Sequence, residues 1–141
     1  MEKQVKKTRV LREKILNLAV RIVNLSRYLS QEKNEFVMSK QILRCGTNPG
    51  AMAREAPNAE TGIDFVHKLG IAQKEAGETL YWLELLFKIN YLTVNEYDSI
   101  SSDTEEIMRI LRSSILTKKK NLATKTVSVL SILVFLICFL Y

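Results

Sequence analysis

Apolar side chains return every three or four residues through four stretches of this chain, and each stretch predicts an amphipathic helix. In the first, Leu11, Ile15, Leu18, Ile22, Leu25 and Leu29 alternate steps of four and three, which is the seam of a helix bundle. The reading places helix one from about Val10 to Ser30, and the polar run Gln31 to Glu35 as a turn. Helix two starts near Phe36 and carries Val37, Met38, Ile42 and Leu43 before it meets Cys45-Gly46-Thr47-Asn48-Pro49-Gly50. Pro49 has no backbone donor and its ring collides with the preceding turn, so a kink or break is expected there. Ala51 to Ala56 form a further turn or two, and Pro57-Asn58-Ala59 ends the helix.

The third stretch is the longest. Leu69, Ala72, Ala76, Leu80, Leu83 and Phe87 share one stripe, which needs burial against partner helices. Thr61 with Asp64 three residues later has the form of a capping box, so helix three opens there and runs to about Asn90. Asp64/Lys68 and Glu84/Lys88 are acid-first pairs at four-residue spacing, suited to its solvated face. Trp82 and Tyr81 read as core and interface aromatics. Thr93 with Glu96 repeats the capping signature for helix four, whose stripe is Tyr97, Ile100, Ile107, Leu111 and Ile115. Lys118-Lys119-Lys120 is expected to end it, beside the negative end of the helix dipole. Four helices with short links imply an all-α fold, an antiparallel up-down-up-down four-helix bundle over residues 1–120.

The segment 121–141 stands apart. From Thr126 to Tyr141 no residue is charged. As a helix those residues reach roughly 24 Å, against a hydrocarbon layer of roughly 30 Å. Lys125 could snorkel and the bilayer could thin, which leaves a C-terminal membrane anchor as one reading. The others are a segment docked on an apolar groove of an oligomer and an extension without a role.

Composition narrows the class. Hydrophobic residues make up 47 % of the chain, with 5 Gly and 2 Pro, which suits a folded helical protein. The charged N-terminus precedes no apolar run, so no signal peptide is expected and a cytoplasmic setting follows. Cys45 and Cys138 lie too far apart in context to form a disulfide framework and read as small apolar residues. The net charge of +6 conceals a segregation. Residues 1–54 hold twelve basic and four acidic side chains, 55–106 three and eleven, and 107–141 six and none. Basic and acidic helices could attract each other, within one bundle or between copies. A basic surface for nucleic acid is the sharper alternative.

No residue set supports catalysis. Asp64-x-x-His67 is half of a carboxylate-bridged di-metal motif, but His67 is the only His of the chain. Glu75 and Glu78 are paired at helical spacing, which Lys74 and solvent explain. There is no phosphate-cradling Gly loop and no Cys/His zinc spacing. The expectation is a protein without cofactor, metal or enzymatic activity.

Arg44-Cys45-Gly46-Thr47, Gly50-Ala51, Glu55-Ala56, Asp64-Phe65, Lys68-Leu69, Ile71-Ala72, Lys74-Glu75-Ala76, Glu78-Thr79 and Tyr81 to Leu86 keep a set of fixed spacings. In these the chain resembles the bacterial four-helix-bundle family also called the 23S rRNA-intervening sequence protein family, over about residues 10 to 118. The resemblance implies a left-handed antiparallel bundle that assembles into a ring, a pentamer. It further implies kinship with the accessory variability determinant of diversity-generating retroelements, a basic protein that binds nucleic acid. It marks Arg44, Gly46, Gly50, Glu55, Phe65, Glu75, Glu78 and Trp82 as structural motif residues. Asn48-Pro49, Met52 and Cys45 depart from the family pattern, and the apolar tail lies outside it.

Two functions follow as expectations. An antiparallel bundle puts the start of helix one beside the finish of helix four, gathering Lys6, Lys7, Arg9, Arg12, Arg112, Lys118, Lys119 and Lys120 at one pole. A ring would repeat that pole and multiply weak phosphate contacts to RNA or DNA. Glu55, Glu60 and Asp64 belong to the same end and would offset part of it. The alternative is a structural assembly protein, anchored at the inner face of a membrane through 126–141, with its charges spent on subunit contacts.

Overall fold

The computed structural model describes the backbone of residues 2–140 and the side chains of residues 9–128. Four helices follow one another: α1 (Glu2–Gln31), α2 (Met38–Glu55), α3 (Gly62–Lys88) and α4 (Val94–Leu140), with a single 3-10 turn at Ala56–Asn58. Among the described residues there is no strand. Each helix packs on its neighbour in sequence, and α4 returns to α1 along the most sparsely packed seam. Diagonal helices do not meet. This is an all-α, antiparallel four-helix bundle.

The core is a set of four seams at alternating spacings of three and four. On α1 all six residues of the predicted stripe, Leu11 to Leu29, are buried. On α2 the buried positions are Ser39, Ile42, Cys45, Gly46, Pro49 and Ala53. Leu69, Ala72, Ala76, Thr79, Leu83 and Leu86 form the α3 seam, so Thr79 and Leu86 stand where the pattern suggested Leu80 and Phe87. Thr79 fits because its hydroxyl donates to the Glu75 carbonyl at 2.9 Å and leaves no unmet polar group. Thr104 does the same on α4, donating to the Ile100 carbonyl between the buried Ile100 and Ile107.

Helix ends follow local chemistry. α2 begins at Met38 and not at Phe36, because the Glu35 carboxylate accepts from the backbone N–H groups of Val37 and Ser39. That satisfies donors which a helix start leaves free and puts negative charge at the positive end of the dipole. α3 opens as expected, Thr61 Oγ1 accepting from the Asp64 N–H at 3.0 Å. It closes at Lys88 through a Schellman arrangement. Asn90 has φ 62°, its N–H donates to the Phe87 carbonyl, and Tyr91 N–H donates to that of Leu86. Thr93 and Glu96 form a reciprocal capping box, with Thr93 N–H to Glu96 Oε2 at 2.8 Å and Glu96 N–H to Thr93 Oγ1 at 3.4 Å. Phe87 and Tyr97 stack across this corner with centroids 4.7 Å apart.

Further expectations are corrected. α1 starts at Glu2, well before Val10. α2 runs through Pro49 without a break: the ring is fully buried, and packing on both flanks holds a helix whose propensity alone would fail. α4 does not stop at Lys118-Lys119-Lys120 but continues to Leu140. Lys is a good helix former, and no Gly or Pro follows the triplet to end the run. The acid-first pairs also differ: Lys68 bonds Glu55 of α2 at 3.3 Å, and among the described residues no ion pair joins Asp64 to Lys68 or Glu84 to Lys88.

Candidate nucleic-acid interface

The pole of the bundle is set by antiparallel register. Lys14 bonds Glu106 at 2.8 Å, and Arg21 bonds Asp103 and both oxygens of Ser99, which fixes α1 against α4. From there α1 runs back toward Arg12 and Arg9 while α4 runs forward through Arg112 to the lysine triplet. The first turn of α3 reaches the same end, because a Cβ on Gly62 would lie 2.6 Å from Leu122 Cδ2 and 3.2 Å from Lys118 Cε. The last turn of α2 completes it. Arg9, Arg12, Arg112, Lys119 and Lys120 are exposed there and make no ion pair among the described residues. Lys6 and Lys7 lie outside the described side chains.

Lys118 behaves differently from its neighbours. It is half-buried, and its Nζ sits 5.3 Å from the centre of the Phe65 ring. A cation over an aromatic face is held partly by the ring quadrupole. The triplet therefore divides into one lysine that braces α4 on α3 and two that face solvent. The acids of the pole divide too: Glu55 is paired with Lys68, leaving Glu60 and Asp64.

One cation escaped the sequence reading. Arg54 of α2 is exposed at this end, and with Arg12 it flanks a groove of about 220 Å³ between α1 and α2. Leu16, Ala19, Thr47, Gly50 and Ala51 line the groove between them. Its signal was available, since an up-down fold must bring the end of helix two beside the start of helix one.

The motif residues form a second, structural constellation. Arg44 of α2 reaches across to α3, where it bonds Glu75 at 3.3 Å and Glu78. Glu78 also accepts from Trp82 Nε1 at 3.4 Å. Glu75 is buried, 5 % exposed, and a carboxylate so placed needs the guanidinium that faces it. Lys74 and solvent therefore do not account for the pair. Beside it the Cys45 thiol is fully buried, and that burial pushes it up to about 11, so it is neutral at physiological pH. Trp82 is half-buried against the core, and Tyr81 next to it is 59 % exposed. Gly46 and Gly50 let α1 approach: a Cβ on Gly46 would lie 2.7 Å from Ile22 Cγ2, and one on Gly50 3.3 Å from Ile15 Cγ2. Glu55 and Phe65 hold Lys68 and Lys118 at the pole, so five of the eight motif residues are ties between helices, two are close-approach glycines, and Trp82 braces Glu78 within α3.

His67 is exposed, and among the described residues no group of His, Cys, Asp and Glu could hold a metal ion. No helix of the described residues is long and apolar enough to cross a membrane. Most of the tail segment 126–141 lies outside the described side chains.

Comparison with known proteins fits this geometry. No curated protein matches the chain. Among solved structures, a protein of unknown function from the S23 ribosomal protein family of Bacteroides thetaiotaomicron is 54 % identical. It superimposes with a TM-score of 0.76 over 77 % of this chain and 97 % of its own. The family described as 23S rRNA-intervening sequence protein matches residues 7–113, which takes in most of α1, all of α2 and α3, the first part of α4 and the whole Arg44 cluster. The chain belongs to the 23S rRNA-intervening sequence protein family.

Proposed function

We propose that this protein is a non-enzymatic, self-assembling scaffold that binds the phosphate backbone of RNA or DNA through its basic pole. The observation that carries the reading is the convergence of Arg9 of α1 with Arg112, Lys119 and Lys120 of α4 onto one end, exposed and without ion-pair partners among the described residues. Cations left unpaired while others on the same helices are engaged, such as Lys14 and Arg21, form a surface that attracts polyanions. One pole offers few phosphate contacts, so useful affinity needs several copies acting together, which the ring expected from the family supplies.

The test replaces Lys119 and Lys120 with Gln in the full chain. Binding weakens alike for every sequence tested, and the slope of log affinity against log salt falls by roughly 0.9 per lost contact on duplex or 0.7 on a single strand. Absence of wild-type binding at about 50 mM salt, where phosphate contacts are strongest, rules the nucleic-acid role out.

A further inference from the structure

We propose that the groove between α1 and α2 is one half of a self-contact, and that it receives the Tyr81 edge of α3 from a second copy of this chain. This rests on the assembly part of the function proposed above and gives it an address. The groove is apolar and lined by small side chains, Ala19, Gly50 and Ala51, so a bulky side chain can enter between the helices. Leu16 of the groove lining is 52 % exposed, and Val20, one turn further along α1, is 53 % exposed. Large aliphatic side chains on adjacent turns beside a groove make a continuous apolar surface that water covers poorly.

The other half is held ready. Tyr81 is 59 % exposed, and its ring packs edge-on against Trp82 at 5.2 Å. Trp82 is tied through Nε1 to Glu78, which Arg44 holds in turn. The exposed ring is thus braced by three side chains before any partner arrives, which lowers the ordering entropy lost on docking. Tyr, Trp and Arg are also the side chains on which interface energy concentrates.

Charge chooses the pairing. The groove is flanked by Arg12 and Arg54, and Tyr81 is followed three residues on by Glu84. All three charged groups are exposed and none is in an ion pair among the described residues. Groove and knob lie on different sides of one bundle, the α1/α2 face and the outer edge of α3. Contact between copies is therefore head to tail, the kind that closes into a ring when the rotation allows.

Sedimentation of the full chain tests this. Leu16→Glu and Tyr81→Ala each convert the assembly to monomer, while their circular dichroism stays helical because both residues are surface residues. Arg54→Glu weakens self-association by roughly tenfold or more, and Arg54→Glu combined with Glu84→Arg restores it, since opposite charges again face each other. If Tyr81→Ala or Leu16→Glu leaves the wild-type assembly intact, or if the charge swap gives no recovery over Arg54→Glu, the contact lies elsewhere and this inference falls while the scaffold reading stands. A wild-type chain that is monomeric at tens of micromolar overturns both.

Discussion

Gly46 is a point of close approach between α1 and α2. Its missing side chain is occupied by Ile22, whose Cγ2 and Cγ1 would lie 2.7 and 2.8 Å from a new Cβ. Ile22 is fully buried and β-branched, so it has no alternative rotamer to retreat to. Gly46→Ala should therefore destabilise the fold by about 1–2 kcal/mol, the overpacking cost less the gain in helix propensity. Gly70 is the internal control, because a Cβ there meets nothing within 4 Å. Gly70→Ala should stabilise by about 1 kcal/mol. Urea midpoints of the two variants must move in opposite directions; a rise for Gly46→Ala would mean the helices have room to part.

Among helices, α2 is the one whose sequence argues against it. Pro49 cannot donate to the Cys45 carbonyl, yet the helix passes through it with the ring fully buried. Replacing it by Ala restores the donor and about 3 kcal/mol of helix propensity, and removes ring methylenes worth about 0.8 kcal/mol each. Pro49→Ala should then raise stability by about 1 kcal/mol in thermal or urea unfolding. A fall of that size would show that the ring's packing outweighs the backbone term. The same helix explains which parts of the fold were readable. Apolar spacing found every α1 core residue, because all six are aliphatic. It slipped on α3, where the seam position is Thr79, and passed over Thr104 on α4; a hydroxyl satisfied by the carbonyl four residues earlier looks polar in sequence and packs as apolar in the fold. The Arg44 ties to Glu75 and Glu78 cross between helices, so no spacing within one helix could announce them. Arg54 was missed for the opposite reason: it lies where the topology demands, in a stretch that reads as the end of a broken helix.

At the scale of the whole molecule, charge segregation resolves into three uses. Some opposite charges close the bundle, as Lys14 and Arg21 do against Glu106 and Asp103. Arg44 ties α2 to α3 over Glu75 and Glu78, and Lys68 ties them again at the pole. What remains at the pole is almost wholly basic, which is why the net excess of charge has a direction. The seam between α1 and α4, described above as the most sparsely packed, also has a temporal meaning. Every other helix pair is joined by a short connection, so its contacts form after closing a small loop. The α1–α4 ties instead span 92 and 82 residues of chain, and among the side-chain ties of the described residues their closure costs the most entropy. They should form last on folding and break first on unfolding. Stopped-flow kinetics of Arg21→Met should show faster unfolding with the folding rate near wild type, whereas a slowed folding rate would place that seam in the nucleus. The bundle's weakest edge is then also the route by which α1, and with it half of the groove, would leave.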